Sequence, residues 1–308
     1  MEAKNVKRDL LSVADFSAAE IKELISLALE MKKGLPSRVL EGKSIALLFE
    51  KPSLRTRVSF ELAVHQLGGF AMYLSPAEVG LGKREPVQDV ARVLSRYVNG
   101  IVARTFAQKT LQLMAEYSSV PIINALSDFE HPCQALADIL TIFEKKGRLT
   151  GLTLAYIGDG NNCAHSLFLA SMLSGMNFNI ASPSGYEMDA KLTEKGKRLG
   201  LQTNAKLTSS NKPAEAVKEA DVIYTDVWTS MGQEGEAEQR RSTFANYQVN
   251  GPLVSQAKKD VILMHPLPAH HGEEVAHGIL EKPVSVVLDQ AENRLHMQKA
   301  ILAKLYQS

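Results

Sequence analysis

The chain has 308 residues, 45% of them hydrophobic, and its 35 lysines and arginines nearly balance its 34 aspartates and glutamates. That balance argues against a broad surface for nucleic acid or acidic membranes, so any anion must be bound by locally placed residues. The first nine residues lack the apolar core of a signal peptide, and no apolar run approaches the ~20 residues of a membrane span. We therefore expect a cytoplasmic protein of two domains, with neither nucleic acid nor membrane as a partner.

In the first half of the chain, short apolar runs alternate with helical patterns. A capping-box pattern at 17–20 predicts the start of an amphipathic helix. Strands are predicted at 44–49, 70–74, 101–103 and 121–125, and helices at 87–98 and from about 131 to 143. A glycine-rich, charged loop is predicted at 77–86.

The polar, glycine-punctuated segment 145–151 predicts a boundary between domains 1–146 and 147–308. The second half then repeats the alternation, with buried strands predicted at 152–157, 179–181, 222–224 and 261–264. The pattern predicts the α/β class, with two domains that each contain a parallel sheet flanked by helices. The last helix, at about 291–308, is expected to pack back on the first domain.

The segment 53–57 lies at a predicted strand-to-helix turn, where free N–H groups and the helix dipole favour an anion. The segment adds two hydroxyls and two guanidinium groups, from Ser53, Thr56, Arg55 and Arg57, which suit phosphate. Arg104 and the pair His131 and Gln134 each follow a later strand of the same half. A histidine and an amide beside a phosphate site are suited to polarising a carbonyl, which predicts an acyl-phosphate-like donor.

Polar residues also follow the strands of the second half, at Asn162, Asp226, Ser230 and His265. They contain no basic cluster, so they favour a ligand with ammonium groups. The turn at 158–162 is similar to a dinucleotide-binding turn, but Cys163 breaks the glycine spacing. A nicotinamide-dependent oxidoreductase therefore stays a weak alternative.

The sequence resembles the aspartate/ornithine carbamoyltransferase family along nearly its whole length. Five motifs carry the resemblance: FEKPSLRTR at 49–57, HPCQALAD at 131–138, GDGNN at 158–162, DVWTSMGQE at 226–234 and AENR at 291–294. The fourth motif points to the ornithine-specific branch.

The resemblance implies the fold of that family and transfer of a carbamoyl group from carbamoyl phosphate to the δ-amine of L-ornithine, without a cofactor or metal. It also implies a homotrimer or a multiple of trimers. The implied catalytic residues are Arg55, Thr56, Arg104, His131 and Asp226. The implied carbamoyl phosphate ligands are Ser53, Leu54, Arg55, Thr56, Arg104, His131, Gln134, Pro266, Leu267 and Arg294, and the implied ornithine ligands are Asn162, Asp226, Ser230 and Met231.

The chain departs from the family pattern at three places. Leu54 replaces a threonine, so this position would bind through its backbone N–H. Gly80 stands where ornithine enzymes often place a glutamine that reaches a neighbouring subunit, a role open to Lys83 or Arg84. Pro266 replaces the cysteine that helps to hold the reacting amine. These departures keep two alternatives open: another acceptor (aspartate, putrescine or a modified ornithine), or a binding protein that has lost turnover.

Overall fold

The computed structural model of the protein describes residues 7–82, 84–230 and 232–307. The chain divides into unit 1, Met1–Leu140 with Asn293–Ser308, and unit 2, Thr141–Glu292. Each unit contains one parallel sheet flanked by helices, which confirms the predicted fold class. Within the described ranges, none of the helices combines the length and apolar character that crossing a membrane requires.

Unit 1 begins with helix α1, whose capping box is formed by Ser17 and Glu20 as predicted. The strands and helices that follow alternate along the chain. Their bounds are α1 (Ala18–Lys32), β1 (Ser44–Phe49), α2 (Leu54–Gln66), β2 (Phe70–Leu74), α3 (Pro76–Val79), α4 (Val87–Tyr97), β3 (Gly100–Arg104), α5 (Gln108–Tyr117), β4 (Ile122–Leu126) and α6 (Pro132–Lys146).

The sheet of unit 1 has the strand order β2-β1-β3-β4. Strands β1 and β3 are buried almost throughout, as expected for strands covered on both faces. Their register pairs Phe49 with Arg104, and the Glu50 N–H donates to the Arg104 carbonyl at 2.8 Å. The segment that follows β1 therefore starts beside the end of β3.

The elements of unit 2 continue the same alternation. They are β5 (Thr153–Ile157), α7 (Asn162–Ser174), β6 (Asn177–Ala181), α8 (Ala190–Thr203), β7 (Leu207–Ser210), α9 (Pro213–Val217), β8 (Val222–Thr225), α10 (Ala237–Phe244), α11 (Gly251–Val254) and β9 (Ile262–Met264). The last helix, α12 (Val287–Tyr306), starts in unit 2, and most of its residues belong to unit 1. The strand order is β7-β6-β5-β8-β9. The register pairs Ile157 with Thr225, so the turn after β5 and the loop after β8 start side by side.

Helix α12 ends in unit 1, where its last turn lies against the start of β3. The Tyr306 hydroxyl donates to the Asn99 carbonyl at 2.7 Å. A Cβ atom at Gly100 would lie 1.9 Å from the Tyr306 hydroxyl oxygen, so a larger residue there would require the Tyr306 side chain to move. This contact fixes the end of α12 on the sheet of unit 1.

Three details differ from the sequence-based predictions. Strand β7 was not predicted, because its residues are polar and it lies at the edge of the sheet. Helix α12 begins at Val287, ahead of the predicted start at 291. The loop predicted at 77–86 contains the end of the short helix α3 and a bridge between Leu81 and Glu85.

Candidate active site

The chain turns from β1 into α2 as predicted, with Ser53 to Thr56 at the start of the helix. Ser53 is the N-cap of α2, and its hydroxyl accepts a hydrogen bond from the Thr56 N–H at 3.4 Å. Leu54 is the first helical residue and its side chain is exposed, so its backbone N–H belongs to the set that lacks an intrahelical acceptor. The turn offers N–H donors and the positive end of a 13-residue helix.

The Thr56 hydroxyl is oriented by two neighbours. Its oxygen accepts from the Ser53 hydroxyl at 2.9 Å and from Nη2 of Arg294 at 2.7 Å. Because both lone pairs are then used, the Thr56 proton is left to donate to a third group. Thr56 and Arg294 are both buried. The fold therefore brings together Thr56 and Arg294, two predicted carbamoyl phosphate ligands that are far apart in sequence.

The two arginines of the turn, Arg55 and Arg57, differ in the surroundings of their guanidinium groups. Arg57 forms an ion pair with Glu61 at 2.9 Å and lies over the ring of Tyr73, 4.0 Å from its centroid. Partial burial lowers the pKa of Arg55 from its usual value, which marks a guanidinium group that has lost solvent. Arg55 is therefore the better candidate for a phosphate ligand, whereas Arg57 is held by its own helix and by β2.

His131 precedes α6 and is almost fully buried. Burial and the positive charges of Arg294 and Arg104 lower the pKa of His131 well below its usual value. The imidazole is therefore neutral near pH 7, and it can donate one N–H to a carbonyl oxygen without acting as a source of protons. Arg104, at the end of β3, is also buried, so these three side chains form one electrostatic cluster.

Gln134 lies in the first turn of α6, and sequence reasoning missed the residue that orients it. Its Nε2 donates to Oδ1 of Asp138 at 2.8 Å, in a contact that is buried. An ionised carboxylate accepts only, so the amide oxygen of Gln134 must face the other way. That oxygen is buried and has no hydrogen-bond partner in the described part of the chain. It is placed to accept from an N–H donor. The i,i+4 spacing of Gln134 and Asp138 within the HPCQALAD motif could have revealed this contact, because residues four apart on a helix are neighbours.

In unit 2 the predicted ligands Asn162 and Asp226 are linked through Asn161. The Asn161 side chain caps α7 and donates from Nδ2 to Oδ2 of Asp226 at 3.0 Å. It also accepts from the Tyr156 hydroxyl at 3.1 Å. Asn162 begins α7, and its own Oδ1 accepts from the Cys163 N–H. Asp226 is thereby fixed beside the turn that carries Asn162.

The loop after Asp226 is held by Arg240, which the sequence analysis did not single out. Arg240 donates from Nη1 to Oδ2 of Asp159 at 2.7 Å and to the Trp228 carbonyl at 2.9 Å. Its side chain is 7% exposed. Arg240 thus ties the turn after β5 to the loop after β8. In the sequence it is one of two adjacent arginines in a charged helix, a pattern typical of a solvated face.

Ser230 lies at the end of this loop, where its N–H donates to Oε1 of Gln233 at 3.1 Å. The predicted ornithine ligand Met231 lies outside the described residues, as does Lys83.

Gly80 has a φ of 52° and ends α3, and a Cβ atom there would lie 2.9 Å from Cβ of Arg84. Glycine therefore suits position 80, because a side chain there would be strained at this φ and would press on Arg84.

Pro266 and Leu267, which are predicted to bind carbamoyl phosphate, lie in unit 2 after β9. The Leu267 N–H donates to Nδ1 of His265 at 2.9 Å, which leaves the proton of the neutral imidazole on Nε2. Nε2 then donates to Oε1 of Glu274 at 3.1 Å, and both side chains are fully buried. Leu267 has a left-handed φ of 54°. The buried pair His265 and Glu274 therefore fixes the backbone of this segment.

Residues 8–144 match the family model described as "Aspartate/ornithine carbamoyltransferase, carbamoyl-P binding domain", and residues 150–305 match the "Asp/Orn binding domain" of the same family. The "Ornithine carbamoyltransferase" of Thermococcus kodakarensis is 53% identical over 300 residues, which cover 96% of this chain and 95% of that protein. The protein from Anoxybacillus flavithermus with the same name is 50% identical over 302 residues, covering 97% and 96%.

Two solved structures extend the comparison. Ornithine carbamoyltransferase from Pyrococcus furiosus superposes with a TM-score of 0.93 at 51% identity, covering 97% of this chain and 96% of that one. Ornithine transcarbamoylase from Giardia lamblia gives a TM-score of 0.89 at 32% identity, covering 99% of both chains. Both family models and these relatives together span almost all of the sequence. The chain therefore belongs to the aspartate/ornithine carbamoyltransferase family.

Proposed function

We propose that the protein transfers the carbamoyl group of carbamoyl phosphate to the δ-amine of L-ornithine, giving L-citrulline and phosphate, as a transferase of arginine biosynthesis. The observation that carries the proposal is the buried cluster in unit 1, where Thr56 bonds to Arg294 and a neutral His131 lies in the field of two arginines. The cluster combines phosphate ligands with a donor suited to a carbonyl. Relatives at about 50% identity carry the name ornithine carbamoyltransferase.

The phosphate of the donor is assigned to the start of α2. There the N–H groups, the Ser53 and Thr56 hydroxyls and the Arg55 guanidinium offer donors of the kind that phosphate oxygens accept. Arg294 orients the Thr56 hydroxyl and adds positive charge. Arg104 shares the negative charge that develops on the leaving phosphate.

The carbamoyl group is assigned to His131 and Gln134. The neutral imidazole donates to the carbonyl oxygen and stabilises the oxyanion, while the Gln134 oxygen accepts from the carbamoyl nitrogen. The neutral δ-amine of ornithine attacks the carbonyl carbon, the C–O bond to phosphate breaks, and the departing phosphate takes the proton from the amine. In this mechanism the side chains and substrates supply all the groups that react, without a metal or cofactor.

The acceptor is assigned to unit 2. The Asp226 carboxylate, held by Asn161, is placed to pair with an ammonium group, and Asn162, Ser230 and Met231 are the other proposed ligands. Aspartate is disfavoured as the acceptor, because the segment 226–236 contains no lysine or arginine to pair with a second carboxylate. Putrescine is disfavoured because it lacks the α-amino and α-carboxyl groups.

The proposal is tested by incubating the protein with carbamoyl phosphate and a panel of amines and detecting the carbamoylated product. L-Ornithine is expected to give L-citrulline, with aspartate, putrescine and N-acetylated ornithine as controls. Product from aspartate or putrescine alone would assign a different acceptor. No product from any amine, with carbamoyl phosphate still bound, would favour a binding protein on this fold.

We also propose that the protein is a cytoplasmic homotrimer or multiple of trimers, with the functional division at 1–146 and 147–308. Exposed apolar side chains support assembly through unit 1: Leu54, Val58 and Leu62 are spaced by four residues along α2, and Phe70 and Met72 alternate along the edge strand β2. Light scattering after gel filtration measures the mass. Phe70→Asp is expected to shift the protein towards smaller species.

A further inference from the structure

A cluster of side chains of the types that ligate metals lies in the segment that follows β9, three residues beyond the predicted ligand Leu267. His270, Glu273 and Glu274 present one imidazole nitrogen and two carboxylate oxygens that all lie within 4.8 Å of one another. The Nδ1 atom of His270 is 3.9 Å from Oε2 of Glu273 and 4.0 Å from Oε2 of Glu274. These are the ligand types that Zn²⁺ and similar divalent ions accept.

Glu274 gives the second, independent observation. Its side chain is fully buried, and its Oε1 accepts from Nε2 of His265 at 3.1 Å and from the His270 N–H at 2.6 Å. Its Oε2 is buried with no hydrogen-bond partner among the residues that the structure describes. A carboxylate removed from water needs compensation at both oxygens, so an oxygen without a donor requires an explanation. That oxygen is turned towards His270.

We propose that His270, Glu273 and Glu274 form a binding site for one divalent transition-metal ion, ligated through Nδ1 of His270 and Oε2 of each glutamate. Bonds of about 2.0–2.2 Å to these atoms require the ligand atoms to approach to roughly 3.4 Å. His270 and Glu273 are 48% and 24% exposed, so their side chains are free to close by this amount onto the fixed Glu274 oxygen. Water would complete the coordination.

The surroundings of Glu273 agree with this assignment. Nε of Arg241 bonds to Oε1 of Glu273 at 2.8 Å, which leaves Oε2 for the ion and orients the carboxylate. Because Glu274 also holds His265 and the His270 backbone, an ion on its second oxygen would stabilise the segment 265–274. The expected role is structural, and the site takes no substrate of the proposed reaction.

The test uses Zn²⁺ alone as the probe on the full chain, with binding measured by isothermal titration calorimetry. We expect one saturable site per chain, weakened about tenfold or more by His270→Gln and by Glu273→Gln, each of which removes one ligand. His271→Gln is the matched control, since it removes the adjacent exposed histidine, and it should bind Zn²⁺ like the unaltered protein. Arg241→Gln removes the ion pair of Glu273 without removing a ligand, and it should retain binding.

Thermal unfolding supplies a second readout. Zn²⁺ is expected to raise the unfolding midpoint of the unaltered protein and of His271→Gln, and to raise that of His270→Gln clearly less. The absence of saturable binding, or binding that survives His270→Gln and Glu273→Gln together, would overturn the proposal. Neither measurement depends on carbamoyl transfer, so the result is independent of the proposed function.

Discussion

The residues assigned to the donor and those assigned to the acceptor are held in different ways. In unit 1, Thr56 and Gln134 lie in the first turns of long helices, and Arg294 lies within α12. In unit 2, Asp226 and Ser230 lie in a loop whose shape depends on buried neighbours elsewhere in the chain. Three of the proposed carbamoyl phosphate ligands are therefore held by regular elements, whereas two of the proposed ornithine ligands depend on the shape of a loop.

The largest expected effect concerns the phosphate site. Arg55→Ala removes a charge-assisted bidentate donor and is expected to lower kcat/KM by about 1,000-fold. Arg57→Ala is the matched control from the same turn, because Arg57 is already engaged by Glu61 and Tyr73. Steady-state citrulline formation measures both variants. Equal losses in the two would show that the turn acts through its total charge and not through Arg55.

The next effect tests how Arg240 holds the loop after β8, which contains the proposed ornithine ligands Asp226 and Ser230. Arg240→Gln breaks the bonds to Asp159 and to the Trp228 carbonyl, and it is expected to raise KM for ornithine by roughly 10- to 100-fold, since breaking a buried ion pair costs several kcal/mol. KM for carbamoyl phosphate should change little. Arg241→Gln, which loses only a partly exposed pair with Glu273, serves as the control. A uniform loss of kcat with both KM values unchanged would contradict the assignment.

A smaller effect is expected inside unit 1. In Asp138→Asn the new amide is able to accept from or donate to Gln134, so the orientation of the Gln134 amide is no longer unique. KM for carbamoyl phosphate should rise by about tenfold, the equivalent of one hydrogen bond, while KM for ornithine stays constant. A rise confined to the ornithine KM would show that Asp138 acts on the acceptor and not through Gln134.

The smallest effect is on stability against pH. His131 has a lowered pKa in the folded state, so below about pH 6.5 the unfolded chain binds a proton that the folded chain does not. The stability that neutral His131 contributes is fully present above the pKa that histidine has in the unfolded chain. As the pH falls below that value, the free energy of unfolding decreases by at most roughly 1.4 kcal/mol per pH unit. Urea unfolding at pH 6.5 and 5.5 should show a smaller decline in His131→Gln. An identical decline in both proteins would show that other groups control it.

Most of the strands and the turn at 53–57 were predictable, because their signals are local. The run 44–49 and the capping residue Ser53 act within a few residues of one another. Arg240 and Glu274 were missed because their value lies in contacts to residues distant in sequence, which a local pattern does not reveal. The role of Asp138 could have been predicted, since its partner Gln134 is one helical turn away in the sequence. Strand β7 lacked the apolar signal of a central strand.

The route of the chain through unit 1 also constrains its synthesis. Unit 1 is formed by the segments on either side of unit 2, and the Arg294–Thr56 bond joins them. A growing polypeptide on the ribosome therefore lacks this bond until residue 294 has been made, after the whole of unit 2. Unit 2, by contrast, is continuous in sequence, so all of its residues are present once Glu292 has been made. The turn to which phosphate binding is assigned is synthesised early, but its buried arginine partner, Arg294, is synthesised late.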